Sequence, residues 1–449
     1  MNAAATLPRD SVSDWPQWVT PAACCGFLLG CLAIYQVETI AAARTGTAYI
    51  VIHALLTAAM LAAWASAGPG LSRLIMMTGI AARVLLIAAP MLSSNDPERY
   101  LWDGAVALAG FDPYSVPPAD PAVAGLRAIW ATPLEHAAYP TLYPPVALML
   151  FVLSALAGPI WGIWVWKLVA SIAGIALVPL AHRLLCKHRL ERHFALVALS
   201  PLLVLETGVG AHLDSILTLV IVAALLAFHE RRPGLVGALL GLGACIKLLP
   251  AMALIALGVA MGWRAALRMG SAAVGIILVV YGGALTIGWR PIGSLPVFFE
   301  KWRNGSPLFT LLEATLPVTS IIAAIAIVAV VLLVAVLALA RTRPTIATQI
   351  VLATPLLLSP VVFPWYLCAL VPLAALAPSV TLLGWLTTAP LIYEVRDRFV
   401  SEGVWMPALW PLVLIGAGWV ITLAIDAARA RNRPAEAQEL ESRCSPSIG

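Results

Sequence analysis

The sequence predicts an all-α polytopic membrane protein, a single bundle of about 12 to 14 transmembrane helices. Three observations predict it. Hydrophobic residues make up 61% of the 449 residues and charged residues only 11%, against about 25% charged in an ordinary soluble domain. Apolar runs recur from Pro21 to Ala428 with only short polar breaks, and each has the length of about 20 residues that crosses a hydrocarbon core as a helix. The Lys and Arg behind the formal charge of +5 are scattered through short loops, which excludes a nucleic-acid partner and reads as topology instead.

At the N-terminus Arg9 is outnumbered by Asp10 and Asp14, and no small-residue cleavage site closes the first apolar run. That run is therefore expected to stay as a helix. The cysteines Cys24, Cys25, Cys31, Cys186, Cys245, Cys368 and Cys444 mostly lie in apolar runs, with no C-x-x-C pair, so neither disulfides nor structural zinc are expected. Basic clusters at 183–192, at Arg231 and Arg232, at Arg264 and Arg268, at Arg341 and Arg343 and at 429–433 mark cytoplasmic ends. The chain must cross out and back between consecutive clusters. That places the tips 208–214, 247–250, 289–315, 363–365 and 394–402 together on the far face, with both termini inside.

Counting backwards from Arg183, the polar stretch 93–140 lies on that same outer face. The run 146–156 is apolar but about half the length of a span, which reads as an interfacial or re-entrant helix rather than a crossing. One integral-membrane domain is thus expected over 1–428. It carries a long first outer loop with its short helix at 93–158, a second outer loop at 289–319, and a polar cytoplasmic tail at 429–449.

Candidate chemistry concentrates in the first outer loop. Asp96, Arg99 and Asp103 recur at spacings of three, four and seven, so a helix starting near Pro97 sets Arg99 and Asp103 on one face. Asp96 is then either that helix's N-cap or a carboxylate offered to the outer aqueous edge. His212 and Asp214 stand at another outer tip, where ionisable groups at membrane depth are expensive and functional by default, unless Asp214 merely caps the next helix. Lys247 reads as embedded in an apolar helix, as do Arg83 and Lys167. Each alone is open to snorkelling, but the three together suit a phosphate pocket. Arg290, Lys301 and Arg303 put positive charge on the outer face, which asks for an anionic partner or makes an amphipathic surface helix anchored by Phe298 and Trp302. Trp365 and Tyr366 suit stacking on a sugar ring or an interfacial belt.

At Asp96-Pro-Glu-Arg-Tyr-Leu-Trp-Asp-Gly104, Asp112-Pro-Tyr114, Tyr143-Pro-Pro145, His212-Leu-Asp214, Lys247-Leu-Leu-Pro250 and Pro364-Trp-Tyr366 the chain resembles a known superfamily. This is the GT-C superfamily of polyprenyl-phosphate-sugar-dependent glycosyltransferases, and within it the bacterial mannosyltransferases of family 87 and those like the catalytic subunit of GPI mannosyltransferase I. The resemblance implies a GT-C-like bundle in the bacterial inner membrane with its active site facing the periplasm. It implies Asp96 as catalytic base and Tyr143 at the head of a membrane-edge helix. The remaining candidates for substrate contact are Arg99, Asp103, His212, Asp214, Lys247, Lys301, Arg303, Trp365 and Tyr366.

The partners it implies are a polyprenyl-phosphate sugar donor, mannose foremost, a lipid or glycan acceptor, and membrane lipids. GPI-type relatives carry Asp-x-Asp where this chain reads Asn95-Asp96-Pro97-Glu98, so no metal and no cofactor are expected. Relatives also often carry His where Phe363 precedes Pro364-Trp-Tyr366. The rival reading is a transporter or flippase for a lipid-linked sugar or another anionic envelope precursor, because buried charge also marks substrate paths. No inverted repeat supports it. A silent scaffold would leave the outer Asp and His without a role.

Overall fold

The computed structural model describes residues 15–68, 70–132 and 137–444, with side chains as far as 431. Arg9, Asp10 and Asp14 and the end of the tail lie outside the described residues. The described chain is an all-helical membrane fold, and its one departure from helix and coil is an isolated bridge between Asn304 and Val361. Among the described residues, six helices are long and apolar enough to cross a membrane: Val19–Ile40, Thr45–Ser66, Gly158–Lys187, Trp263–Thr286, Val318–Leu339 and Leu409–Arg431. Shorter apolar helices pack among them, including Pro145–Ala155, Asp214–His229, Pro233–Ala244 and Pro344–Leu358. The last helix runs on unbroken to Cys444, so residue 429 changes the polarity of the chain without ending its helix.

Pro145–Ala155 has 11 residues, about 16 Å of helix, half of what a bilayer core demands. Pro145 supplies a first-turn residue whose missing N–H is no loss there. Phe151 fixes the helix in place, its ring stacked on Tyr100 at 4.5 Å and edge-on to Trp166 at 5.4 Å. This short helix therefore backs the first polar loop rather than standing apart from it.

Distant carboxylates cap two of the helices. Asp397 accepts from the backbone N–H of Gly46 and Thr47 at 2.7 and 2.9 Å, at the start of Thr45–Ser66. Asp426 does the same for Val380 and Thr381 at 3.1 and 2.9 Å. Each satisfies donors that a helix N-terminus leaves open, and each opposes the positive end of the helix dipole. Because the partners are hundreds of residues apart in the first case, the cap also fixes tertiary structure.

The polar tips gather at one end of the bundle. Ser294 donates its hydroxyl to Pro140 O at 2.7 Å, tying the 289–319 loop to the first loop. Val362 N donates to Asn304 O at 2.8 Å and Asn304 N to Pro360 O at 3.1 Å, tying the same loop to the aromatic turn before Pro364. Gly305 makes that approach possible, since it holds φ 62° and a Cβ there would lie 2.0 Å from Val362 O. At the opposite end Arg183 pairs with Glu230 at 3.0 Å, with Lys187 4.0 Å and Arg232 3.6 Å from the same carboxylate. Two of the basic clusters thus share an end, away from the polar tips.

Candidate active site

Where the tips meet they enclose a cavity of about 300 Å³. Its lining joins polar side chains, Asp96, Arg99, Tyr143, Asp214 and Lys247, with apolar ones, Leu248, Leu249, Met252, Phe298, Phe299 and Trp302. Trp365 and Tyr366 close it from the aromatic turn. Such a shape receives a ligand with a charged head and a hydrocarbon tail.

Asp96 opens the helix Asp96–Leu108, but it does not cap it. Asn95 holds the N-cap position without a side-chain capping bond, and the Asp96 carboxylate turns the other way. Its Oδ2 accepts from the Tyr100 hydroxyl at 3.3 Å and lies 3.7 Å from His212 Nε2, and its side chain is 20% exposed toward the cavity. The capping alternative for Asp96 is therefore set aside by geometry. The same holds for Asp214, which heads Asp214–His229 without capping it.

Asp214 instead grips Lys247, with Nζ at 2.8 and 3.0 Å from its two oxygens. Lys247 also sits 3.8 Å over the ring of Tyr366. Pro233–Ala244 ends before it, so Lys247 occupies a turn and not the interior of a helix as its apolar setting suggested. Arg83 and Lys167 do not join it. Arg83 donates to Gly79 O and Ala198 O at 2.8 Å each and Lys167 donates to Ala89 O. Apolar surroundings drive these two cations onto backbone carbonyls, and the phosphate pocket read from all three retains Lys247 alone.

Arg99 pairs with Asp103 through Nε at 2.8 Å and donates to Tyr139 O at 2.8 Å, so the helical pair expected from the spacing also pins the returning loop. Burial pushes the Asp103 carboxyl up, against the pull of Arg99. Asp112 turns the chain by accepting from Tyr114 N at 3.0 Å, and the Tyr114 hydroxyl holds Tyr143 O at 2.9 Å. Arg303 pairs with Glu313 at 2.7 Å and covers the carbonyls of Glu300 and Trp302. Neither Arg303 nor the exposed Lys301 lines the cavity, whereas Phe298 and Trp302 of that same loop do. The anchors assigned to a membrane surface face the site.

His212 is fully buried. Its ring stacks on Trp365 at 3.9 Å and 11°, its Nε2 meets Ser94 Oγ at 2.9 Å, and its Nδ1 meets Glu206 Oε2 at 2.7 Å. The other Glu206 oxygen accepts from the Tyr393 hydroxyl. Sequence reasoning missed Glu206 and Tyr393. The signal for Glu206 was present, a carboxylate within the apolar run Pro201-Leu-Leu-Val-Leu-Glu206, while nothing local marks Tyr393.

Residues 24–264 match the MptA_B family, described as alpha-(1->6)-mannopyranosyltransferase, N-terminal domain. The matched stretch includes Asp96, Glu206, His212, Asp214 and Lys247. No curated protein matches the chain.

Proposed function

The chain belongs to the MptA_B family of alpha-(1->6)-mannopyranosyltransferases, and from that premise we propose that it takes mannose from a polyprenyl-phosphate carrier on the periplasmic face of the bacterial inner membrane. The acceptor is a hydroxyl of a lipid or glycan. Asp96 accepts the proton of that hydroxyl while its oxygen bonds to the anomeric carbon. The carbon–oxygen bond to the phosphate breaks with inversion, and the electron pair leaves on the lipid phosphate. Inversion that ends in an α linkage requires a β-linked donor.

One observation carries this reading. A part-exposed carboxylate and a lysine share one cavity whose lining also carries a set of apolar side chains. Lys247 offers fixed positive charge to the departing phosphate, while Leu248, Leu249, Met252 and Phe299 suit the first isoprene units. Tyr143 and Tyr366 present ring surface to the sugar, whereas Trp365, stacked on both His212 and Phe363, offers it no more than an edge. Arg99 and Asp103 hold the loop that carries the base, and His212 and Asp214 hold the two reacting charges. Lys301, exposed on the loop that carries Phe298 and Trp302, remains available to an anionic acceptor, whereas Arg303 is held by Glu313. The transfer is proposed to need no metal and no cofactor, because charge development falls on a phosphate already facing a cation.

The test compares donors. Purified protein in detergent should move labelled mannose to an acceptor from polyprenyl-phosphate mannose and not from a nucleotide-activated mannose. Transfer from the nucleotide sugar alone would reverse the donor assignment.

A further inference from the structure

Behind Asp96 lies a buried polar chain that donor and acceptor binding do not require. Glu206 is 1% exposed, and a carboxylate so placed persists only when its oxygens are bonded. Its partners are His212 on one oxygen and Tyr393 on the other, and its own backbone carbonyl accepts from His212 N at 2.9 Å. The turn between them is built around this contact. A Cβ at Gly210 would lie 2.4 Å from both Glu206 Oε2 and His212 Nδ1. Ala211 takes φ 47°, a left-handed conformation that a side-chain-bearing residue avoids, and Trp166 Nε1 holds its carbonyl at 2.7 Å. Strain of this kind persists where surrounding contacts over-determine it.

The bonding assigns the ring's protons. Glu206 already accepts from Tyr393, so His212 Nδ1 carries the hydrogen it shares with Glu206, and Nε2 presents a lone pair. That lone pair points at Ser94 Oγ, 2.9 Å away, and at Asp96 Oδ2, 3.7 Å away. The other groups that bear on the ring's charge are Asp214, itself gripped by Lys247, and, through Glu206, Tyr49 with Arg396 behind it.

We propose that Tyr393, Glu206 and His212 form a proton-holding relay for Asp96. This rests on Asp96 being the base. The proton leaving the acceptor hydroxyl passes from Asp96 to His212 Nε2, directly or across Ser94, while the electron pair of the broken glycosidic bond leaves on the lipid phosphate. The imidazolium then stands between two carboxylates, Asp96 is an anion again before the product departs, and His212, itself shut off from solvent, later returns the proton through Ser94, which lines the cavity, to water there.

The experiment is the pH dependence of kcat for mannosyl transfer from polyprenyl-phosphate mannose by wild type and four variants, each checked for an unaltered melting profile. Wild type should lose activity on the acid side as His212 becomes charged. Glu206→Gln should lower kcat at least about tenfold and move that acid limb down by about one pH unit, because the ring loses the anion that favours its charged form. Tyr393→Phe should move the limb up, since Glu206 then draws more strongly on the ring. His212→Asn should abolish that limb. A limb that stays in place in both Glu206→Gln and Tyr393→Phe overturns the relay, whatever the rates do. If Glu206→Gln does not fold, the Tyr393→Phe shift decides alone. Asp96→Asn separates the two readings. An inactive Asp96→Asn with unmoved limbs ends the relay and spares the base, and an active one removes the base itself.

Discussion

Lys247 shows how one residue can answer to both stability and chemistry. Its ammonium is 24% exposed and holds the almost fully buried Asp214, 2% exposed. Removing the cation alone strands a buried carboxylate, which costs about 3–5 kcal/mol. A Lys247→Met variant would therefore report folding as much as catalysis. The informative protein is Lys247→Met combined with Asp214→Leu, which removes both charges and restores most of that stability. It is expected to fold and to lose about a hundredfold or more in turnover, the scale of one fixed electrostatic contact to the developing charge. Single-turnover transfer with a parallel melting curve checks it, and unaltered transfer by the folded double variant would leave Lys247 a structural residue.

At the scale of elements the site depends on loops that clasp one another. The 289–319 loop is joined to the first loop through Ser294 and to the aromatic turn through Asn304 and Gly305. Gly305→Ala places a Cβ 2.0 Å from Val362 O at a φ of 62°, which adds about 1–2 kcal/mol of backbone strain before any clash is counted. The expected outcome is a lower melting temperature together with a raised KM for donor, since Phe298 and Trp302 lose their seat. A variant with wild-type KM and melting temperature would show that the clasp is not needed.

Much of this was legible from the chain. Short apolar length marked Pro145–Ala155 as a half-span helix, and the spacing of Arg99 and Asp103 foretold their pair. Capping patterns left Asp96 and Asp214 open, because a carboxylate at a helix start looks the same whether it faces the helix or a cavity. The pairing of Glu206 with Tyr393 spans 187 positions, and no local pattern reports it.

For the whole molecule, loop charge was informative about which tips meet. Segments read as sharing one face do converge, at 208–214, 247–250, 289–315 and 363–365. Charge alone does not reveal which buried cations serve the site, and Arg83 and Lys167 turned to carbonyls instead. The orientation has its own test. Ala128 is exposed in the first polar loop, and Cys186 lies near the other end of Gly158–Lys187, a helix of 30 residues and thus about 45 Å long. A cysteine at Ala128 should react with a membrane-impermeant maleimide in intact cells, and Cys186 only after lysis. The reverse pattern would put the cavity on the cytoplasmic side.

The most direct measurement is transfer of labelled mannose by Asp96→Asn against wild type, with thermal stability recorded in parallel. Asn keeps the shape and can still accept from Tyr100, so folding should change by about 1 kcal/mol or less. An amide does not take up the acceptor's proton, and loss of general-base catalysis costs about a hundredfold to ten-thousandfold in rate. A stable and inactive Asp96→Asn is the predicted result; a stable Asp96→Asn that transfers mannose at the wild-type rate would contradict the assignment of Asp96 as the base.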